Sequence, residues 1–177
     1  MAKIWHEFFC ASTHLARCGI AQPMPTANRP LFAYGTLRDP EVLALVLGYS
    51  PDPATVLAAM APDCRTVHYP GRSYPALLRM VGEAAPGTLL TALTDADLVA
   101  LDGFEGTEYG RGPIEIIVNG VPVAADVYWP VAAITPDAER WSLAAWVARH
   151  KAAFMATETE AVAELRQRRT APLPDKR

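Results

Sequence analysis

The sequence has few cysteines and lacks the signatures of secreted and membrane-spanning proteins. Its three cysteines, Cys10, Cys18 and Cys64, form no Cys-x-x-Cys pair. An odd number without such pairs favours free thiols in a reducing compartment over a disulfide framework. No apolar run reaches the roughly 18 to 20 residues that a membrane span requires. The amino terminus has no basic segment followed by an apolar stretch, so we expect a cytoplasmic protein without a membrane partner.

The chain also lacks the charge and the glycine-rich loops that recruit nucleic acids and nucleotides. Its formal net charge is -3 and its isoelectric point is about 5.8, whereas phosphate binding needs a concentrated basic surface. Gly35 stands alone, outside a G-x-G-x-x-G or GK[ST] context. We therefore expect neither a nucleic-acid partner nor a dinucleotide cofactor.

What is present suffices for one folded domain with two appendages. Of the 177 residues, 51% are hydrophobic, which is enough for a substantial core. Residues 1–29 differ in composition from the rest and are predicted to be an accessory extension. Residues 30–157 are predicted to form the domain, and residues 158–177 a charged tail.

The extension contains four residues of the types that bind zinc. They recur at intervals of four and are His6, Cys10, His14 and Cys18. On a helix this spacing drifts around the surface, so one ion cannot collect all four ligands. Coincidence is the preferred interpretation, and no metal site is predicted.

Local signals in the first half of the domain predict a strand, a glycine turn and a capped helix. Residues 30–34 are a short apolar and aromatic run typical of a buried strand. Asp39 followed by Pro40 favours a helix start, because proline loses nothing at the first helical position. Gly48 is placed to end that helix. Backbone N–H groups are expected to gather at the intervening turn.

The middle of the domain is predicted to be mostly extended. Residues 51–63 indicate a connection with a weak strand, and residues 64–67 an extended segment. Residues 68–75 contain two Tyr-Pro pairs and indicate a loop. Residues 76–81 and 88–93 are predicted to be two strands, separated by the Ala-Ala-Pro-Gly sequence.

The second half combines a capping signal with a hairpin signal. Residues 94–97 fit the Ser/Thr-x-x-acid capping box and begin a short helix. Residues 114–118 and 121–129 flank Asn119-Gly120, the strongest hairpin signal in the chain.

A final amphipathic helix completes the predicted domain. Its apolar face is predicted from residues at the 3.6-residue period, namely Leu143, Trp146, Val147, His150 and Phe154. About five strands with hairpin-like spacing and a few short helices indicate a mixed α/β (α+β) domain built on a curved sheet or barrel.

Residues 101–111, with the sequence LDGFEGTEYGR, concentrate polar groups at a junction between a predicted helix and a predicted strand. The segment holds three carboxylates: Asp102, Glu105 and Glu108. Loops aim side chains into clefts more often than regular faces do, which makes this junction the candidate site. Asp102 is expected to brace the turn, and Glu108 to be solvated or paired with Arg111.

Two motifs together resemble those of the γ-glutamylcyclotransferase-like family, which includes the AIG2-like proteins. The first is YGTL at residues 34–37, and the second is the segment at residues 101–111. The resemblance covers approximately residues 31–157 and implies a small mixed β-barrel with a cavity at one mouth. It implies that the catalytic glutamate is Glu105. It also implies that the γ-glutamyl group binds at the YGTL loop, which comprises Tyr34, Gly35, Thr36 and Leu37.

Two further tyrosines, Tyr74 and Tyr109, are assigned to the substrate-binding wall. Tyr109 has a structural role, with its hydroxyl at the cavity edge, as the alternative, and Arg111 is expected to be a charge partner for Asp102 or Glu105. Tyr34 and Tyr74 have packing in the core as an equally weighted alternative. His68 and His150 are predicted to be surface or core-edge groups, and Cys64 a small buried hydrophobic residue rather than a nucleophile.

The reaction implied by the resemblance closes a γ-glutamyl group into 5-oxoproline and releases an amine. One carboxylate can take a proton from the attacking α-amine and return one to the departing amine. The expected partner is thus a small γ-glutamyl compound, and no cofactor or metal is needed. Two alternatives stay open: a ligand-binding module without turnover, and γ-glutamyl transfer to another acceptor.

Overall fold

The computed structural model describes residues 29–157 and residue 159. This part of the chain contains five strands and four helical segments. The strands are β1 (Leu31–Ala33), β2 (Val56–His68), β3 (Pro75–Leu90), β4 (Tyr109–Val118) and β5 (Val121–Pro130). The helices are α1 (Pro40–Leu47), α2 (Asp95–Glu105), α3 (Leu143–Arg149) and α4 (residues 151–157). Single 3-10 turns are formed by Thr36–Arg38, Pro53–Thr55 and Gly106–Glu108.

The predicted appendages lie almost wholly outside the described residues, which include only Arg29 from the extension and Thr159 from the tail. The zinc-ligand residue types of the extension lie outside as well. The domain boundaries therefore stay predictions. No helix in the described range is long and apolar enough to cross a membrane.

The five strands form a closed barrel in the order β1-β3-β2-β4-β5. Strand β1 closes it, since Leu31 pairs with Leu90 of antiparallel β3 and with Asp126 of parallel β5. With its helices, the molecule has the mixed α+β barrel architecture that was predicted.

Side chains of β1 alternate between the two main parts of the core. Leu31 and Ala33 contact the layer of helices, together with Trp146 of α3. Phe32 and the following Tyr34 belong to the barrel interior. The chain leaving β1 thus passes between helices and barrel, and it is here that the YGTL turn lies.

The prediction of two strands over residues 76–81 and 88–93 is wrong, because β3 is one continuous strand. Pro86 and Gly87 lie within β3, opposite Met60 and Ala59 of β2. A Cβ atom on Gly87 would lie 2.6 Å from the carbonyl oxygen of Ala33 and would clash with the Phe32 ring. This glycine therefore permits a close approach of β1 instead of forming a turn.

The partner strand β2 was predicted only in part. It begins at Val56 and is interrupted between Pro62 and Cys64, where the register with β3 shifts. Asp63 has a φ of 51° there, and its Oδ1 accepts a hydrogen bond of 2.8 Å from the Gly82 N–H. This bulge bends the long β2–β3 ribbon so that it can close the barrel.

The hairpin and the helix caps are confirmed. Asn119 and Gly120 have φ values of 50° and 80°, as a type I′ turn requires. Asp39 Oδ1 accepts hydrogen bonds of 3.0 and 3.2 Å at the start of α1, and Gly48 ends that helix with a φ of 85°. Thr94 forms a full capping box with Asp97 at the start of α2.

The predicted final helix is broken in two. His150 departs from helical geometry with a φ of -125°, and it separates α3 from α4. Trp146 is buried and Phe154 is partly buried, as predicted, but Val147 and His150 are exposed. The break lets α4 turn so that Phe154 packs on Trp146 at 5.3 Å between ring centroids.

Candidate active site

A cavity of about 230 Å³ lies between the turn that follows β1 and the carboxyl end of α2. Most of its wall is aromatic or aliphatic. It is lined by Phe32, Ala33, Tyr34, Gly35, Thr36, Leu37, Tyr74, Pro75, Phe104, Glu105, Glu108, Tyr109, Tyr128, Trp146 and Phe154. Its described lining includes two carboxyl groups, those of Glu105 and Glu108, and no arginine, lysine or histidine.

Glu105 is the last residue of α2 and projects from the helix end into this wall. Gly106 follows with a φ of 63° and lets the chain leave the helix at once. Glu105 as a residue is partly exposed, but its carboxyl is desolvated, and this burial raises its pKa to about 8. Among the described residues, its carboxyl has neither a hydrogen-bond donor nor an ion-pair partner.

Three tyrosine hydroxyls surround Glu105 without donating to it. Tyr34 donates to the carbonyl of Tyr128 at 2.8 Å, and Tyr109 to the carbonyl of Pro75 at 2.6 Å. Tyr128 donates to Asp102 Oδ1 at 2.6 Å. Burial raises the pKa of each tyrosine, and the charge of Glu105 raises it further. The three rings thus stay neutral and hold an apolar wall around the carboxyl.

The opposite wall is the 3-10 turn Thr36–Arg38, which Gly35 opens. A Cβ atom on Gly35 would lie 2.7 Å from Cγ of Pro75, so only glycine fits between this turn and β3. The first N–H groups of such a turn have no acceptor within it. Gly35, Thr36 and Leu37 all line the cavity, so this turn can present backbone donors to a ligand.

Glu108 lies at the cavity mouth in a different environment from that of Glu105. Arg72 Nη2 binds its Oε1 at 2.9 Å, and the Tyr74 hydroxyl donates to its Oε2. The hydrogen bond from Tyr74 lowers the pKa of Glu108, so this carboxylate stays ionised. The expectation that Glu108 is solvated or paired with Arg111 is wrong, because Arg72 reaches it from the 69–74 loop.

Asp102 braces the turn, as predicted. Arg111 binds both of its oxygens, at 3.0 Å from Nε and at 3.2 Å from Nη2. Its Oδ1 also accepts the hydrogen bond from Tyr128. This carboxylate joins α2, β4 and β5 behind the cavity and does not line it.

The two C-terminal helices form a roof over the cavity. Phe154 of α4 meets Phe104 edge to face at 6.2 Å between centroids, next to Glu105 in the chain. Lys151, on the same helix, binds Asp39 Oδ2 at 2.8 Å and Glu41 Oε1 at 3.2 Å. Asp39 caps α1 directly after the YGTL turn, so this ion pair connects the roof helix α4 to the side of the cavity that the YGTL turn forms.

Residues 31–148 match the protein family described as "Gamma-glutamyl cyclotransferase, AIG2-like". The chain belongs to this AIG2-like family. AIG2-like protein A of Arabidopsis thaliana is 28% identical to it over 130 residues, which are 72% of this chain and 77% of that protein.

Solved structures support the same assignment of the fold. The solution structure of an Arabidopsis thaliana protein has a TM-score of 0.56 at 26% identity and covers 82% of this chain and 95% of its own. A structure described as "Gamma-glutamyl cyclotransferase" has a TM-score of 0.51, covering 84% of this chain and 90% of that one. Its identity of 14% limits the likeness to the fold.

In this AIG2-like chain every residue assigned to the site from the sequence lines one cavity. These residues are Glu105, Tyr34, Gly35, Thr36, Leu37, Tyr74 and Tyr109. Their roles in binding and catalysis stay predictions. Cys64 is fully buried, as predicted, and neither His68 nor His150 lines the cavity.

Sequence reasoning missed most of the roof and the mouth of the AIG2-like site. It assigned no cavity role to Phe104, Trp146 or Phe154, and it missed Lys151. One signal was available, since Lys151 and Phe154 are three residues apart and therefore share a helix face. No local signal indicates that Tyr74 and Arg72 bind Glu108, which is more than 30 residues away.

No group of histidine, cysteine, aspartate or glutamate side chains in the described range is arranged to hold a metal ion. The cavity wall instead offers one proton-binding carboxyl, one ionised carboxylate and a turn of backbone donors. That set suits proton transfer beside a bound polar group.

Proposed function

We propose that this protein is a γ-glutamylcyclotransferase that converts a γ-glutamyl amine or peptide into 5-oxoproline and a free amine. The observation that carries the proposal is the Glu105 carboxyl, which lies in a largely apolar cavity wall with its pKa raised to about 8. A carboxyl poised near neutral pH can both accept and return a proton during one turnover. Family membership supports the same reaction class.

The proposed chemistry requires proton movement between two nitrogens. The α-amine of the γ-glutamyl group, after losing its extra proton, attacks its own γ-carbonyl carbon. A five-membered lactam forms, the bond from that carbon to the departing nitrogen breaks, and the departing amine takes up a proton. Glu105 is proposed to accept the proton from the α-amine and to deliver one to the departing amine.

The YGTL turn supports the proposal because the reaction creates negative charge. The attack makes an oxyanion at the γ-carbonyl, and the substrate also carries an α-carboxylate. Backbone N–H groups of residues 35–37 are proposed to bind one or both. No basic side chain of the described residues lines the cavity, so these amides and the Thr36 hydroxyl are proposed as the donors.

The proposed partner is a small γ-glutamyl compound, and proton transfer by Glu105 needs no metal or cofactor. A cytoplasmic location is proposed on the cysteine pattern. Transfer of the γ-glutamyl group to another acceptor would use the same carboxyl, but it needs a second amine to compete with ring closure. Cyclisation is favoured because the attacking amine belongs to the substrate itself.

The test is a release assay for 5-oxoproline with γ-glutamyl amino acids, γ-glutamyl-ε-lysine and glutathione as substrates. We expect release from at least one of them, and its loss in the variant Glu105→Gln. Glu115→Gln is the matched control, because Glu115 is exposed on β4 and does not line the cavity. Binding without product would establish a ligand-binding module instead, and a γ-glutamyl adduct of an added amine would establish transfer.

A further inference from the structure

A second cavity, of about 260 Å³, is lined by the two residues at the ends of the YGTL region, Tyr34 and Arg38, and by parts of the barrel. Tyr34 lines both cavities. The other walls come from β2, β3 and the start of α3. The lining residues are Tyr34, Arg38, Arg65, Thr66, Ala84, Ala85, Pro86, Arg140, Trp141, Ser142, Leu143 and Ala144.

This second cavity has the opposite charge to the first. Three arginines line it, and none of the described carboxylates does. Glu83 lies beside it and binds two of them, Arg65 through a bidentate contact and Arg140 at 2.7 Å. Glu83 therefore pairs with two of the three guanidinium groups, and the described lining of the cavity keeps an excess of positive charge.

Arg38 is the guanidinium that has no partner in the described part of the chain. Among the described residues it forms no ion pair and no side-chain hydrogen bond, and its Nε is closed off from water without an acceptor. Burial lowers the pKa of Arg38, and no carboxylate of the described range opposes the effect. A partly desolvated cation with nothing to balance it is uncommon, because proteins pair the charges that they bury.

A second polar group on the same wall is also unpaired. The Thr66 Oγ1 is buried and has no hydrogen-bond partner in the described part of the chain. Buried polar groups without partners are few in native proteins, and an unseen water or ion is a common reason for them. Two such groups border this one cavity, and each is on a different element.

We propose that this cavity binds a small anion that carries a phosphate or a carboxylate group. Both are acceptor groups that guanidinium recognises through paired N–H donors. The Nε of Arg38 is enclosed, so its terminal nitrogens are the donors left for the ligand. Arg140, whose side chain is 67% exposed, can close over the anion from the rim.

The anion would also act on the first cavity. Arg38 ends the 3-10 turn Thr36–Arg38, and its N–H donates to the carbonyl of Gly35 at 3.1 Å. An anion held between Arg38 and the barrel would therefore fix the turn that lines the first cavity. The binding site itself does not depend on the proposed cyclotransferase activity.

Isothermal titration of the full chain with inorganic phosphate, and separately with acetate, tests the site without any γ-glutamyl compound. We expect saturable binding of one anion at low ionic strength. Arg38→Met should weaken it at least about tenfold, the usual effect of losing a charge-assisted hydrogen bond. Tighter binding of phosphate than of acetate indicates a phosphate-bearing ligand, and the reverse order a carboxylate-bearing one.

Arg149→Met is the matched control, because Arg149 is an exposed arginine that lines neither cavity. The affinity of this variant for the anion should stay within about twofold of that of the parent protein. Arg140→Met is the second test variant, since its side chain is 67% exposed and Glu83 keeps its contacts with Arg65, and it should weaken binding a few-fold. The proposal is overturned if neither anion binds, or if both Arg38→Met and Arg140→Met bind as the parent does. Failure of 5-oxoproline release would leave these binding results unaffected.

Discussion

The inner wall of the first cavity and its mouth each hold one glutamate, and the two are only three residues apart in the chain. Glu105 on the inner wall has no partner among the residues that the structure describes, and burial raises its pKa to about 8. Glu108 at the mouth accepts hydrogen bonds from Tyr74 and Arg72, and its pKa is lowered. The two residues are chemically identical, so the difference shows that desolvation and pairing, not residue type, decide which carboxyl can exchange a proton near neutral pH.

The largest expected effect separates the two glutamates by activity. Glu105→Gln should lower 5-oxoproline release by about a thousandfold, because removal of a general acid–base group typically costs 10²–10⁴ in rate. Glu108→Gln should keep activity within about tenfold of the parent, because the mouth carboxylate is already committed to Arg72 and Tyr74. Steady-state assays of both variants measure this contrast. Equal losses of activity in the two variants would show that the two glutamates do not differ in their contribution to the reaction.

The contributions of Glu105 and Glu108 to stability should change in opposite directions as pH rises. The folded state holds the Glu105 proton more tightly than the unfolded chain does. The contribution of this group to the free energy of unfolding is therefore fully present below about pH 4.5, and it is lost as pH rises through about 8. Glu105→Gln cannot ionise and should exceed the parent in free energy of unfolding at pH 9. The expected gain is roughly 3 kcal/mol after allowance for partial exposure, with little difference at pH 4.

Glu108 should behave in the opposite way. Its folded pKa is lowered by Tyr74 and Arg72, so its contribution is present above its unfolded pKa and is lost in acid. Glu108→Gln should therefore be less stable than the parent at neutral pH and should match it in acid. Urea unfolding at several pH values measures both trends. A parallel response of the two variants would contradict the assigned environments.

Removing an aromatic side chain from the roof should expose Glu105 on the inner wall to water, as Glu108 is at the mouth. Phe154→Ala removes the ring that packs on Phe104 and Trp146, so water reaches Glu105 and its pKa falls. The acidic limb of the kcat/KM profile, expected near pH 8 in the parent, should move down by about one pH unit. Stability should fall by about 2 kcal/mol, less than for a fully buried phenylalanine.

Val147→Ala is the matched control for the roof, because Val147 is exposed on α3 and does not line the cavity. It should change stability by less than about 0.5 kcal/mol and leave the pH profile in place. A Phe154→Ala profile identical to that of the parent would show that the roof does not desolvate Glu105.

Features with a short-range signal were predictable from the sequence. Asn119-Gly120 requires two positive φ angles, and Asp39-Pro40 and Thr94–Asp97 satisfy helix ends from within a few residues. Six of the seven assigned site residues lie in the two family motifs, Tyr74 being the exception, and the fold brings all seven to one cavity.

Features that depend on distant contacts were not predictable. Pro86-Gly87 has the composition of a turn, but the approach of β1 makes it part of β3. The helical period running through His150 gave no sign of a break, which becomes understandable only once Phe154 packs on Phe104 and Trp146. Tertiary contacts override local preference in both places.

The smallest expected effect concerns the ion pair that holds the roof to the YGTL side of the cavity. Lys151→Met leaves Asp39, which is 6% exposed, without its ammonium partner, although two backbone N–H groups still bind its Oδ1. Loss of about 1 kcal/mol in stability is expected, well below the cost of stripping a buried charge of all its partners.

Lys151 holds the roof helix near Glu105 and makes no contact with Glu108, so its replacement should change the pKa of Glu105 only. The acidic limb assigned to Glu105 should shift slightly to lower pH, and KM should rise a few-fold as α4 loosens over the turn. Glu41→Gln is the control, because Glu41 is the exposed partner of Lys151. Its loss should lower stability by less than about 0.5 kcal/mol. If Lys151→Met changed stability but left both KM and the pH profile untouched, the ion pair would hold the helix without shaping the site.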